Sequence, residues 1–167
     1  ELRMERRLDQ DLDRIRQSLL RMGGLVEDMV ARATRALLDR DRALSEQVIE
    51  SDGEVDQLEI EIDEICHSVL GRKQPTAVDL RFLVAVMKIN SDLERIGDSA
   101  VNIAQSVQQL VDLPPLKPYI DLPHLSQLVR NMVRESLDAF VRRDAAMAQA
   151  VLEKDDEVDG LYKQIFR

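Results

Sequence analysis

The sequence contains no tryptophan and only five other aromatic residues, Phe82, Tyr119, Phe140, Tyr162 and Phe166. Any core must therefore come from Leu, Ile, Val, Ala and Met, and with 33% of residues charged this is the composition of packed helices. The single cysteine, Cys66, excludes an internal disulfide and fits a reducing compartment. Proline and glycine are scarce, with 5 and 6 residues respectively. All prolines but Pro75 fall between Pro114 and Pro123, so one punctuated linker divides long uninterrupted segments. Basic charge is also in deficit: 23 Lys and Arg face 32 Asp and Glu, a net charge of −9. That balance argues against nucleic acid, whose phosphates require clustered cations. The longest apolar run, Phe82 to Met87, is too short to cross a bilayer, and no secretory signal is visible, so a cytoplasmic protein is expected. No Gly-rich phosphate loop, Gly-x-Ser-x-Gly or Cys-x-x-Cys is present, which points away from an enzyme.

What the chain does have is an internal repeat. Leu25–Ile62 aligns without a gap on Leu128–Ile165, with about 16 of 38 residues identical. Leu25 falls on Leu128, Met29 on Met132, and Arg40-Asp41 on Arg143-Asp144. Asp52-Gly-Glu-Val-Asp56 falls on Asp155-Asp-Glu-Val-Asp159. The fold class this predicts is all-α, built as two pseudo-repeated three-helix bundles, the second lacking its last helix. The expected organisation is a first repeat over residues 1–112, a Pro-rich linker over 113–123 and an incomplete second repeat over 124–167. The first residue is Glu and the second copy stops at Arg167, so the sequence reads as a piece of a longer protein.

Leu12, Ile15, Leu19, Met22, Val26, Met29, Val30, Ala33 and Leu37 recur at three- and four-residue steps, which predicts one face of a long first helix. Gly23-Gly24 interrupts it and predicts a bend or a close helix contact. Asp41 and Asp144 read as N-caps. A second helix is expected over about Arg42 to Leu70. Thr76 with Asp79 reads as the cap of a third, whose inward face would carry Leu80, Leu83, Val84, Met87, Leu93, Ile96 and Ala100.

The candidate chemistry is carboxylate. Asp52 and Asp56 are four apart, as are Asp155 and Asp159 in the second copy and Glu94 and Asp98 on the third helix. Such pairs stand one turn above each other and repel unless a cation neutralises them. Hard oxygen donors suit Mg, Mn, Ca or ferric iron, and zinc also accepts carboxylates. Asn102 could add a carbonyl oxygen, and Gly97 suggests close helix approach beside the pairs. The opposing reading is that paired acids simply face solvent. Glu64-x-x-His67 has the spacing used in ferritin-like di-metal bundles, but that chemistry needs a second copy, which the sequence lacks. An ordinary surface histidine is the simpler reading of His67, a buried side chain that of Cys66, and a linker residue that of His124.

The string Asp92-Leu-Glu-Arg-Ile-Gly-Asp98-Ser-Ala-Val-Asn102-Ile-Ala resembles the hallmark of the PhoU family of phosphate-signalling regulators. Met22-Gly-Gly-Leu-Val-Glu, Asp52-Gly-Glu-Val-Asp56-x-Leu-Glu and Gln74-Pro-x-Ala-x-Asp-Leu-Arg81 agree with it. The resemblance implies two three-helix bundles and Glu/Asp-x-x-x-Asp motifs that in some members hold iron or zinc clusters. It makes Asp52, Asp56, Glu94, Asp98, Asp155 and Asp159 candidate metal ligands, with the second pair lacking its partner helix. It further implies a non-enzymatic adaptor, expected as a homodimer, that negatively controls the phosphate-starvation response. Such an adaptor would link the phosphate ABC importer, through its ATPase PstB, to the sensor histidine kinase PhoR, reaching the membrane only through these partners. The alternatives are a ferritin-like di-metal carboxylate enzyme and a metal-free helical scaffold.

Overall fold

The computed structural model describes residues 2–72, 75–114 and 118–165. Within them the chain forms five helices: α1 (Leu2–Asp39), α2 (Arg42–Arg72), α3 (Ala77–Leu110), α4 (Leu122–Arg142) and α5 (Ala145–Ile165). The all-α repeat architecture expected from the sequence is what forms. Helices α1, α2 and α3 each pack on the other two, while α4 packs on α1 and on α5.

The local chemistry that starts and stops these helices is repeated with the sequence. Arg40 ends α1 in the left-handed region at φ 55°, and Arg143 ends α4 at φ 56°. In the first turn-around the Asp41 amide donates to the Ala36 carbonyl at 2.9 Å, and in the second the Asp144 amide donates to Ala139 at the same distance. Each aspartate then caps the next helix: Asp41 Oδ1 accepts from the Leu44 amide at 3.0 Å, and Asp144 Oδ1 from Met147 at 2.9 Å. Thr76 and Asp79 form the reciprocal capping box expected for α3. Helix α4 begins earlier than the predicted linker end, at Leu122, with Pro123 and His124 in its first turn. Proline is tolerated there because first-turn amides have no intrahelical partner. His124 is thus a helix residue, and its Nε2 lies 3.3 Å from Glu157 on α5.

The core is one cluster formed by α1, α2 and α3 and joined by Leu137 of α4. Ile15, Leu19, Met22, Val26 and Met29 of α1 are fully buried against Val55 and Ile62 of α2 and Leu83 and Val86 of α3. Gly23-Gly24 does not break α1. Gly23 is where α4 seats Leu137, and a Cβ there would collide with the Leu137 Cδ1, so this glycine provides the close contact; Gly24 faces open space. The rings of Phe82 on α3 and Phe140 on α4 stack with centroids 5.3 Å apart, and the Arg16 guanidinium lies over Phe82. Two predicted inward residues of α3, Leu80 and Val84, are exposed instead. The buried row of that helix includes the expected Leu83, Leu93 and Ala100 together with Phe82, Val86, Gly97 and the polar Asn90, so the departure lies in its first turns.

Candidate metal centre

The site grows out of one packing contact. Gly97 of α3 sits against Val55 of α2: a Cβ on Gly97 would lie 3.5 Å from Val55 Cγ1 and 3.8 Å from Val26 Cγ2 of α1. The residues that follow these two, Asp98 and Asp56, are exposed beside the contact. The distance also shows that a methyl group fits, so Gly97 accompanies the close approach without being sterically required for it.

Along α2, Asp52, Asp56, Glu59 and Asp63 recur at helical steps and make one acidic stripe. Along α3, Glu94 and Asp98 make the opposing one. Carboxylate oxygens of Asp56, Glu59 and Glu94 come within 4.8 Å of one another. Oxygens on opposite sides of a hard cation are separated by about 4–5 Å, so this spread suits ligands around one ion. Burial raises the Glu94 carboxyl above its usual range, aided by the charges of Asp98, Glu59 and Asp56 and by a side-chain hydrogen bond with Asp98. Two carboxyl groups can share such a bond only by sharing a proton. Glu59 is raised by burial first, then by Asp63, Asp56 and Asp98. Asp52 is raised by burial, then by Asp56 and Asp98. Burial and the neighbouring negative charges disfavour ionisation of Asp52, Glu59 and Glu94, and a cation would answer the same need.

Of the residues singled out in the sequence, the structure brings Asp52, Asp56, Glu94 and Asp98 onto this one face. Asp155 and Asp159 are exposed on α5. Neither joins the acidic trio, which is the one such grouping among the described residues. Glu59 is the member that sequence reasoning missed. The candidates are carboxylates four apart, whereas Glu59 is three from Asp56 and aligns with Tyr162; that helical spacing from Asp56 is the signal that points to it. Asn102 is exposed one turn beyond Asp98. Asn90, also unanticipated, is 1% exposed; its Nδ2 donates to the Glu59 carbonyl at 3.0 Å and to Asp63 Oδ1 at 3.3 Å. It ties α3 to α2 at the lower end of the acidic row.

The donor set decides between metals. No nitrogen or sulfur ligand enters the trio. His67 and Glu64 are exposed, and neither contributes to it. The Cys66 thiol is buried and pushed up to about 11, by burial and then by the nearby Asp63 charge. An all-oxygen set favours Mg, Mn, Ca or ferric iron over zinc.

With this geometry in view, the PhoU domain matches residues 19–107 and 122–167. The phosphate-specific transport system accessory protein PhoU homolog of Aquifex aeolicus is 40% identical over 161 residues, 96% of this chain and 73% of that protein. The homolog from Pseudomonas putida is 44% identical, covering 94% of this chain and 62% of its own length. The crystal structure of PhoU from Pseudomonas aeruginosa superposes with a TM-score of 0.88 at 43% identity, over 93% of this chain and 75% of that one. That of the phosphate transport system regulatory protein PhoU from Streptococcus pneumoniae gives 0.85 at 31% identity, over 94% and 74%. In sequence, in fold and along nearly its whole length, this chain belongs to the PhoU family.

Proposed function

We propose that the chain is a regulatory adaptor of phosphate uptake whose α2–α3 face binds a hard cation. The observation that carries the cation is the acidic trio Asp56, Glu59 and Glu94, within 4.8 Å across two helices. Asp52 and Asp98 flank it, and Asp155 with Asp159 stands as a half-site on α5 that requires an opposing helix. Mg, Mn or iron fits the oxygen donors; bound there, the ion would neutralise the row and hold α2 and α3 at fixed spacing. The role itself is supported by relatives named as accessory proteins of the phosphate-specific transport system. No helix among the described residues is long and apolar enough to cross a membrane, which is in keeping with a cytoplasmic protein that meets the membrane through partners.

In this reading the adaptor acts without catalysis. It connects the importer, through the ATPase PstB, to the sensor kinase PhoR, and lowers the phosphate-starvation response when phosphate is ample. It works as a homodimer. The long helices present extended faces to partners, a mode of recognition that uses packing and charge pattern.

The test is co-purification from phosphate-rich and phosphate-starved cells, with bound proteins identified by mass spectrometry. Recovery of PstB or PhoR with the folded protein is expected; recovery of neither would remove the adaptor reading. Elemental analysis tests the cation separately. Glu94→Gln and Asp98→Asn are expected to lower metal content per chain, and unchanged content in both would remove the α2–α3 site.

A further inference from the structure

We propose that Asn90 is the positioning residue of the α2–α3 cation site: it fixes the register of α3 on α2 that brings Glu94 level with Asp56 and Glu59. The inference rests on the cation reading of that face and adds what holds the ligands in place. Asn90 is 1% exposed, and it interrupts an otherwise apolar stretch in which Val86 and Leu93 are its buried neighbours on α3. A polar side chain so placed is accounted for by the partners it finds.

Both partners lie on α2. Asn90 Nδ2 donates to the Glu59 carbonyl at 3.0 Å and to Asp63 Oδ1 at 3.3 Å. A carbonyl and a carboxylate only accept, so the amide must turn its nitrogen, not its oxygen, toward α2. An amide nitrogen without a free lone pair is no ligand for a cation, and Asn90 therefore acts through the position of α2. Its Oδ1 is buried with no hydrogen bond among the described residues. A buried acceptor left in that state makes asparagine a poorer core residue than an apolar side chain of similar size. What the amide supplies is direction: a single buried asparagine in a helix seam specifies register at a cost in stability.

The order of contacts along the two helices shows why register matters here. Asn90 meets Glu59 and Asp63; Glu94, one turn on, meets Asp56 and Glu59; and Gly97 meets Val55. The acidic trio is thus bracketed by a hydrogen-bonded rung on one side and an apolar contact on the other. Apolar contact is non-directional, and with 3.5 Å between Val55 and a Cβ on Gly97 it does not stop α3 from sliding. Hydrogen bonds weaken steeply with distance and angle, so the Asn90 rung does. A slip of one residue moves a helix by about 1.5 Å, whereas the metal–oxygen distances of Mg and Ca differ by only about 0.4 Å. Asn90 also grips Glu59 by its backbone, which attaches the lock to one of the three ligand residues.

The test is titration calorimetry of chelator-treated protein with Mn and, separately, with Ca, alongside the melting temperature without cation. Asn90→Leu is expected to bind Mn about tenfold more weakly, with a cation-free melting temperature equal to or above that of the wild type. Ca accepts irregular coordination and should lose only about threefold. A merely structural role predicts neither result, since affinity would then fall only together with stability. Val107→Ala supplies the comparison: it opens a cavity at a fully buried position far along α3, and it should melt lower yet bind Mn as the wild type does. Should Asn90→Leu lack the wild-type circular dichroism, Asn90→Ser takes its place, with the same loss of Mn affinity expected. Wild-type Mn affinity in the Asn90 variant, equal losses for Mn and Ca, or the same loss in Val107→Ala would each overturn the proposal and leave the cation site standing. Absence of Mn and Ca binding by the wild-type protein would instead remove the cation site, and this role of Asn90 with it.

Discussion

Replacing Glu94 with Gln should make the cation-free protein more stable while making it a poorer cation binder. Glu94 is half-buried, and its carboxylate lies within 4.8 Å of those of Asp56 and Glu59. Two unit charges at that separation repel by about 1 kcal/mol in bulk water and about 3–4 kcal/mol at an effective dielectric constant of 20. Asp56 is exposed, so screening by solvent and salt holds the effect near the lower figure. Relief from two neighbours at the screened figure gives a gain of about 1–2 kcal/mol. For a chain of this size that raises the melting temperature by about 3–6 °C. A cation at a hundred times its dissociation constant contributes about 2.7 kcal/mol to the wild type, or about 5–10 °C. Calorimetry with chelator and then with excess Mg or Mn measures both. The expected pattern is a higher starting temperature and less than half the cation increment in Glu94→Gln. A lower melting temperature in chelator together with an undiminished increment would refute the reasoning, because Glu94 would then be neither repelled nor a ligand.

Three further outcomes follow from the same geometry. Asp52, Glu59 and Glu94 have raised values, so the folded state holds protons that the unfolded chain releases; their contribution to stability is complete below the ordinary carboxylate range and is lost as pH rises through the raised values. Chelated wild-type protein should therefore gain melting temperature relative to a Glu59→Gln/Glu94→Gln variant as pH falls from 7 to 5, and parallel curves would contradict this. Gly97→Ala should stabilise by about 0.5–1 kcal/mol through helix propensity, since its methyl meets Val55 at ordinary contact distance, whereas Gly23→Ala should destabilise by about 1–2 kcal/mol by displacing buried Leu137. Urea unfolding that orders the two variants the other way would reject the packing described here. Cys66, fully buried with its thiol near 11, should react with a thiol reagent at pH 8 only after unfolding, and prompt modification of native protein would contradict its burial.

What could be read from the sequence was whatever local chemistry or repetition fixes. The Asp41 and Asp144 caps, the Thr76–Asp79 box and the inward face of α1 depend on neighbours within a turn or two, and all form as expected. The pairing of Asp52 and Asp56 with Glu94 and Asp98 was legible because each pair marks one helix face. Glu59 is less legible because it stands three residues from Asp56, outside the pairs four apart, and its repeat equivalent is Tyr162, so only helical phase recovers it. Only the first turns of α3 depart from the expected face, at Leu80 and Val84. Its buried row contains Asn90 and Gly97, neither of which registers as apolar, so Leu80 and Val84 completed a plausible stripe that points to solvent. The role of Gly23 as a seat for Leu137 joins residues far apart in the chain, beyond the reach of periodicity.

One consequence of the α1 contacts is mechanical. Val26 touches the position of Gly97 beneath the acidic row, and Gly23, less than one turn earlier on α1, touches Leu137 of α4. A close-packed interior has little slack to absorb a shift. If drawing α2 and α3 together moves α3 against Val26, the displacement meets a rigid rod whose next contact is the other half of the molecule. This turn of α1 thus couples the two halves, alongside the Phe82–Phe140 stack, and whatever sets the spacing at the carboxylates also bears on how the second half is held.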